Sequence, residues 1–360
     1  MPEEEMSVFL GVTRRDFLKF CGGMAALIGL GPGGTPQVAA ALEALAKRPQ
    51  VIYSSFQQCT GCAIQLLQTR TPTVANLILQ QISLEFQDNV MAAAGDAAEA
   101  QFEKIVESGD FYWVIEGSIP TKIPEATTIA GENVADRAKR VYPKAKGVIA
   151  YGSCACYGNV QASRPNPTGA MGVGEFLRTK GGIPDAKVIN ISRCPGHSED
   201  MIAALSYVLV TGKLPELDAV GRPVFLYGKT IHDSCMRRGH FEAGEFVETF
   251  GQAIAGDPRC LYKLGCKGPV THAPCGINYW NGHVSWCVHN APCQGCAEPG
   301  FWDKFTPFYE QLRTFGNFPA ETIGIALGAA TVVGLGAHAV ASAATGRFGR
   351  HEDETKGGER

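Results

Sequence analysis

Short apolar segments alternate with amphipathic segments along the first two thirds of the chain. The apolar segments are typical of buried strands, and the segments between them have the spacing of helices. The predicted strands are 51–55, 111–115, 147–151, 188–191 and 224–227, and the predicted helices are 73–81, 97–108, 133–142 and 198–209. This alternation predicts an α/β domain over residues 49–225, with an open parallel sheet covered by helices on both faces.

The next segment, residues 226–310, has little periodicity of either kind and is rich in Gly, Pro, Asn and Trp. A conventional hydrophobic core is hard to build from such a composition. We therefore expect bound metal to organise a second domain of low regular structure.

The N-terminal segment, residues 1–41, resembles a twin-arginine signal peptide. Arg14 and Arg15 precede an apolar stretch at 20–30, and small residues at 38–41 offer a cleavage site. This route exports proteins that are already folded, which allows metal to be inserted in the cytoplasm before export. The expected location is therefore the periplasm.

A second apolar run lies near the C-terminus. Residues 323–344 contain no Asp, Glu, Lys or Arg. At 1.5 Å per residue such a run can cross a hydrocarbon core of about 30 Å. It predicts a transmembrane helix that anchors the protein at the outer face of the cytoplasmic membrane, followed by a polar tail at 345–360. The alternative is a buried helix rich in Ala and Gly.

The composition is that of a globular protein, with 45% hydrophobic and 19% charged residues. The formal net charge of −3 provides no basic field for nucleic acid. Thirteen cysteines are the feature that needs explaining. Their odd number argues against a closed disulfide framework, and their Cys-x-x-Cys pairs favour metal.

One set of cysteines follows the predicted strands of the first domain. Its members are Cys59, Cys62, Cys154 and Cys194. Because the carboxyl ends of parallel strands meet at one edge of a sheet, these thiols are expected to converge on one site. A [4Fe–4S] cluster takes four cysteines, but zinc accepts four thiolates as well.

Two further sets of four occur in the second domain. The first is His232, Cys235, Cys260 and Cys266, and the second is Cys275, Cys287, Cys293 and Cys296. Together the three sets use every cysteine except Cys21, inside the signal, and Cys156, which is interpreted as a spare buried thiol. Zinc would carry no electrons, whereas a row of iron–sulfur clusters would. The export signal and the predicted anchor favour iron–sulfur clusters.

Several short stretches outside and around the cysteines have a recognisable sequence, namely 59–62, 82–86, 91–95, 116–120, 152–155, 164–169 and 295–299. Through these stretches the chain is similar, over nearly its whole length, to the small subunits of nickel–iron hydrogenases. The resemblance implies a flavodoxin-like domain with a proximal cluster, a distal cluster with one histidine ligand, and a medial cluster between them. Carried over, the proximal ligands are Cys59, Cys62, Cys154 and Cys194, the distal ligands are His232, Cys235, Cys260 and Cys266, and the medial ligands are Cys275, Cys287, Cys293 and Cys296.

Three departures from the family pattern matter. Many members have proline at the position of Cys287 and a [3Fe–4S] medial cluster, so a fourth thiolate here predicts [4Fe–4S]. Oxygen-tolerant members carry two extra cysteines where this chain has Gly61 and Asn159, so oxygen sensitivity is expected. The segment 192–196, Ser-Arg-Cys-Pro-Gly, replaces a more usual Pro-Gly-Cys-Pro-Pro.

The resemblance implies a non-catalytic electron relay. Dihydrogen is split at a nickel–iron centre in a separate large subunit, and this chain would pass electrons to a membrane cytochrome b or a quinone-linked acceptor. Two alternatives remain. One is an exported binding module stabilised by zinc, and the other is a cluster-bearing member of a related quinone-reducing complex. A flavodoxin-type flavin carrier fits the fold, but thiols occupy the loops where phosphate would bind.

Overall fold

The structure is a computed structural model. It describes residues 48–254, 256–280, 282, 286–289, 291–312 and 320–345, together with 19, 22–23, 25–26 and 34–36. The twin-arginine pair, the signal cleavage site and the tail beyond residue 345 lie outside the described residues. The chain divides into two compact units, Met1–Glu310 and Gln311–Arg360.

The first unit is built on a parallel sheet of five strands. Its strands, with those of a small antiparallel hairpin, are β1 (Gln50–Ser55), β2 (Ser83–Gln87), β3 (Phe111–Glu116), β4 (Thr128–Ile129), β5 (Glu132–Asn133), β6 (Gly147–Tyr151) and β7 (Ile189–Ile191). The hairpin pairs β4 with β5, and the main sheet has the order β2-β1-β3-β6-β7. Counted within the sheet, this is the 2-1-3-4-5 order of flavodoxin-like folds.

The helices connect these strands and then continue through the cysteine-rich region. The α-helices are α1 (Gly61–Leu67), α2 (Val74–Asn76), α3 (Asp96–Ser108), α4 (Val134–Val141), α5 (Ser153–Tyr157), α6 (Val173–Thr179), α7 (Ser198–Thr211), α8 (Val224–Tyr227), α9 (Arg238–Glu242), α10 (Phe250–Ile254), α11 (Trp286–His289), α12 (Phe301–Lys304) and α13 (Ala320–Ala344). A π-helical turn follows α2 at Leu77–Gln81. Short 3₁₀ turns occur at Pro124–Ala126, Tyr142–Lys144, Asn159–Ala162, His232–Ser234, Tyr262–Leu264 and Gly268–Val270.

Helices cover the sheet on both faces, as the alternation predicted. Successive residues of a strand point to opposite faces. Tyr53 and Val114 therefore belong to the core that contains Leu205 of α7. Ile52 and Trp113 belong to the core on the other face, formed with α3, α4 and α6.

Four of the five predicted strands are confirmed, and the strand predicted at 224–227 is wrong. Those residues form α8, which begins after Pro223 at its N-cap. A run of four apolar residues does not distinguish a buried strand from a buried helical turn. The edge strand β2 was not predicted, because it alternates polar and apolar residues over a short span.

The C-terminal unit contains α13, and its residues do form a continuous helix. Within the described part of the chain, however, no helix combines the length and the apolar character needed to cross a membrane. The predicted transmembrane helix at 323–344 is therefore wrong. Thirteen of the 25 residues of α13 are Ala or Gly, whose small side chains contribute little apolar surface.

Candidate metal centres

The first cysteine set lies at the carboxyl edge of the sheet. Cys59 and Cys62 follow β1, Cys154 lies in α5 after β6, and Cys194 follows β7. Burial raises the pKa of Cys62, and the nearby thiols of Cys154 and Cys194 raise it further. Burial likewise raises the pKa of Cys154 to about 11, with contributions from Cys194 and Cys59. The four thiols are thus neighbours.

Amide groups donate hydrogen bonds to the sulfur atoms of this set. The backbone N–H of Gly196 donates to Cys62 Sγ at 3.2 Å. The side-chain amide of Asn159 donates to Cys154 Sγ at 3.2 Å and to Cys194 Sγ at 3.3 Å. Asn159 is 1% exposed and has a left-handed φ of 51°. Its position beside the set was expected from the sequence, but these hydrogen bonds were not.

Close approach to sulfur explains one of the loop glycines. Gly152 has a φ of 87°, and a Cβ at this position would collide with Cys62 Sγ. A residue with a side chain would therefore push Cys62 out of the set and strain the backbone.

Glu116, the last residue of β3, fixes the loop that carries Cys62. Its carboxylate accepts hydrogen bonds from the N–H groups of Cys62 at 3.1 Å and Ala63 at 3.0 Å, and from the hydroxyl of Tyr53 at 2.6 Å. The N-cap of α1, Thr60, has no side-chain capping hydrogen bond, so Glu116 satisfies donors of the first turn. Burial raises the pKa of Glu116, and these hydrogen bonds oppose the rise.

The second set surrounds a small cavity. His232, Cys235, Cys260 and Cys266 all line it, and Cys287 lies in the same wall. Burial raises the pKa of Cys260 to about 11, and the thiols of Cys266 and Cys235 add to this rise. The His232 ring packs edge-on against Phe241, with 4.6 Å between ring centroids.

The third set is buried between the other two. Burial raises the pKa of Cys293, and the surrounding thiols raise it further, those of Cys287, Cys296 and Cys275 among them. Burial and the neighbouring Cys275 raise the pKa of Cys296 to about 12. Cys287 projects from α11 and is 9% exposed.

Direct contacts connect the sets in the order first, third, second. The Ser153 hydroxyl, next to Cys154, donates to the carbonyl of Cys296 at 2.5 Å. At the other end, the N–H of Cys293 donates to Cys266 Sγ at 3.3 Å. The three sets therefore form one continuous series through the protein.

The remaining described cysteine, Cys156, lies outside the sets. Its thiol donates to the carbonyl of Ala150 at 3.4 Å, and the residue is 4% exposed. None of the twelve described cysteines forms a disulfide. Three groups of four sulfur or imidazole donors, mostly buried or half-buried and supplied with N–H groups, fit iron–sulfur clusters.

Several known proteins are similar to this chain, with its parallel sheet and its three cysteine sets. Residues 227–309 match the family formed by the C-terminal part of the NiFe/NiFeSe hydrogenase small subunit. Residues 59–208 match the family "NADH ubiquinone oxidoreductase, 20 Kd subunit". The chain is 44% identical over 311 residues to the periplasmic [NiFe] hydrogenase small subunit of Solidesulfovibrio fructosivorans, with 86% of this chain and 96% of that one covered.

Two other relatives cover most of their own length. The quinone-reactive Ni/Fe-hydrogenase small chain of Wolinella succinogenes is 40% identical over 348 residues, with 92% of this chain and 96% of that one covered. Among solved structures, the Ni-Fe-Se hydrogenase of Desulfomicrobium baculatum matches with a TM-score of 0.68 and 35% identity, covering 74% of this chain and 100% of that one.

The chain belongs to the family of nickel–iron hydrogenase small subunits. It is an electron-transfer protein that carries iron–sulfur clusters and pairs with a large subunit.

Proposed function

We propose that this chain holds three iron–sulfur clusters on the three sets of ligands. Cys59, Cys62, Cys154 and Cys194 hold the proximal cluster, His232, Cys235, Cys260 and Cys266 the distal cluster, and Cys275, Cys287, Cys293 and Cys296 the medial cluster. The observation that carries the proposal is that hydrogen bonds connect the three sets in series. Ser153, next to the first set, donates to Cys296 of the third set, and Cys293 of the third set donates to Cys266 of the second set. When bound, the clusters supply one-electron transfer.

The medial cluster is of the [4Fe–4S] type in this proposal. Cys287 supplies the fourth thiol in this proposal. Burial raises its pKa, and the nearby thiols of Cys296, Cys275 and Cys266 raise it further. A [3Fe–4S] cluster would leave the Cys287 thiol buried and unused. With Asn159 and Gly61 in place of extra cysteines, the proximal site holds an ordinary four-cysteine cluster, and the enzyme is oxygen-sensitive.

Electrons from dihydrogen oxidation in the large subunit enter at the proximal set and leave from the distal set. Their acceptor is a membrane cytochrome b or a quinone-linked protein, by analogy with the relative that is named quinone-reactive. The chain is exported to the periplasm through Arg14 and Arg15, by analogy with the periplasmic relative. Its own residues position the clusters and exclude water, and none is catalytic.

The alternatives have less support. The match to the 20 Kd subunit of the quinone oxidoreductase ends at residue 208 and leaves two cysteine sets unexplained. A zinc-binding module would use the same thiols, but the relatives that cover most of the chain are hydrogenase subunits.

The test is the iron and acid-labile sulfide content per chain, with low-temperature EPR, on the anaerobically purified complex. Three cubanes predict about twelve irons and no strong oxidised [3Fe–4S] signal. About eleven irons with that signal would remove Cys287 as a ligand and keep the relay. Zinc without iron, in protein isolated with its native cofactors, would exclude the relay.

A further inference from the structure

A cation lies buried in the interior beside the cysteine sets. Arg193 directly precedes Cys194, and its side chain is 0% exposed. Nη2 lies 2.8 Å from the carboxylate of Asp200, which is also fully buried. The guanidinium lies over the ring of Trp280, 5.5 Å from its centroid.

The guanidinium of Arg193 lacks the hydrogen bonds that a buried cation normally makes. In the part of the chain that the structure describes, Nε, Nη1 and Nη2 have no hydrogen-bond acceptor with suitable geometry. Two other buried cations differ, because Arg237 donates to the carbonyl of Val288 and Lys267 to that of Gly265. The ion pair with Asp200 holds Nη2, but Nε and Nη1 have no hydrogen-bond partner among the described residues, and buried donors of this kind are costly.

The backbone at Arg193 also needs an explanation. Its φ is 123°, a left-handed value that L-residues with a side chain rarely adopt. The resemblance places glycine at this position, which would adopt that φ without strain. Strain that is retained at one residue points to a use for its side chain.

The loop that carries Arg193 lies between the first and third cysteine sets. The N–H of Arg193 donates to the Ser153 hydroxyl at 3.1 Å, and that hydroxyl donates to the Cys296 carbonyl at 2.5 Å. The guanidinium of Arg193 lies over the ring of Trp280, and the side-chain amide of Asn278 donates to the Asp200 carboxylate at 2.7 Å. Trp280 and Asn278 both belong to the segment that directly follows Cys275. The ion pair therefore lies against the segment that carries a ligand of the third set.

We propose that Arg193 raises the reduction potential of the medial cluster and so offsets the charge that the fourth thiolate, Cys287, brings to it. The inference rests on the proposed function above. Reduction adds one electron and no atoms to a cluster that four thiolates already make anionic. A nearby buried cation stabilises the reduced form more than the oxidised form, because the reduced cluster carries one more negative charge. The low dielectric of the interior screens this attraction only weakly.

The experiment is an EPR-monitored redox titration of the complex with the large subunit, with iron counted in every sample. Arg193→Met removes the charge and keeps the length. At a fixed applied potential, we expect the ratio of oxidised to reduced medial cluster to rise at least threefold in this variant. A tenfold change in that ratio corresponds to 59 mV for a one-electron couple. Arg193→Lys keeps the charge, so its ratio of oxidised to reduced medial cluster is expected to remain within threefold of the ratio in the unsubstituted protein.

Two further variants make the result decisive. Asp200→Asn removes the opposing charge, so the ratio should shift toward reduced. Arg164→Met removes a charge whose side chain is 85% exposed, and it should leave the ratio unchanged. An unchanged ratio in both Arg193→Met and Asp200→Asn, with full iron content, would overturn the inference. If Arg193→Met loses iron, Asp200→Asn decides, and an unchanged ratio in that variant with full iron content would overturn the inference. Absence of a medial cluster in the unsubstituted protein would instead refute the proposed function.

Discussion

Single polar side chains distinguish the environments of the three cysteine sets. Asn159 donates to two thiols of the first set, whereas Arg193 forms a buried ion pair with Asp200 and lies over Trp280, in the segment that follows Cys275 of the third set. Hydrogen bonds to cluster sulfur withdraw electron density and favour the reduced state. We therefore propose that residues which are not themselves ligands tune the potentials of the clusters.

Replacement of Asn159 should lower the potential of the proximal cluster. Asn159→Gly removes the amide and relieves the left-handed φ of 51°, so its effect reports the lost hydrogen bonds and not backbone strain. Asn159→Asp is nearly isosteric and places a negative charge near sulfur, so its shift should be larger. Redox titration of the proximal EPR signal measures both. A potential that does not change in Asn159→Gly would contradict a tuning role.

His197 should make the protein sensitive to acid. Burial lowers its pKa to about 4, with Arg193 lowering it and Asp200 opposing the change. The unfolded chain takes up the proton near pH 6.5, so stability is full above that pH and is lost as pH falls toward 4. The loss is at most about 3 kcal/mol.

The check is the thermal unfolding temperature of the anaerobic complex at pH 7 and pH 5, for the unsubstituted protein and His197→Gln. The glutamine variant lacks the titration, so its unfolding temperature should fall less over this interval. Acid effects on the clusters and on other carboxylates are common to both proteins. An equal fall in both would assign the acid sensitivity to other groups.

At the scale of elements, the end of β3 and the start of α1 act as one unit. Glu116 bonds to the first turn of α1 and to Tyr53 of β1, and α1 carries Cys62. The cysteine pair after β1 is therefore positioned by the neighbouring strand of the sheet.

Glu116→Ala should destabilise this unit by about 2 kcal/mol, because it leaves the first-turn N–H groups unpaired in a buried place. Iron release to a chelator should be faster, beginning at the proximal cluster. Glu116→Gln keeps one acceptor oxygen and should be intermediate, and Glu125→Ala, at an exposed position, is the control. Equal release rates in all three variants would exclude an anchoring role.

The sequence was most informative about elements whose neighbours impose a pattern. Buried strands such as β3 and β6 are apolar because both faces of the sheet are covered. The prediction failed at α8, where four apolar residues fit either structure, and at β2, whose exposure at the sheet edge weakens the signal. It also failed at α13, where the absence of charge was interpreted as membrane character although Ala and Gly supply little apolar surface.

At the scale of the whole molecule, the convergence of the first set was predictable from topology. Strands that run in parallel bring their following loops to one edge, so Cys62, Cys154 and Cys194 had to meet there. The order of the other sets was available only from the resemblance, because the segment 226–310 has little periodicity. The roles of Arg193 and Asn159 required coordinates, since nothing in the sequence shows which way a buried side chain points.

Cys287 provides the test of the whole series. It lies in α11, and the resemblance places proline at this position in many members of the family. Cys287→Pro should therefore keep the helix and remove the fourth thiolate.

For this variant we expect iron to fall from about twelve to about eleven per chain, a strong oxidised [3Fe–4S] signal to appear, and the medial potential to rise. Cys156→Ala removes an equally buried thiol outside the sets, so it should keep all the iron. If Cys287→Pro retained about twelve irons while Cys156→Ala lost iron, the medial ligand set would have to be reassigned, and the series from Ser153 to Cys266 would lose its middle member.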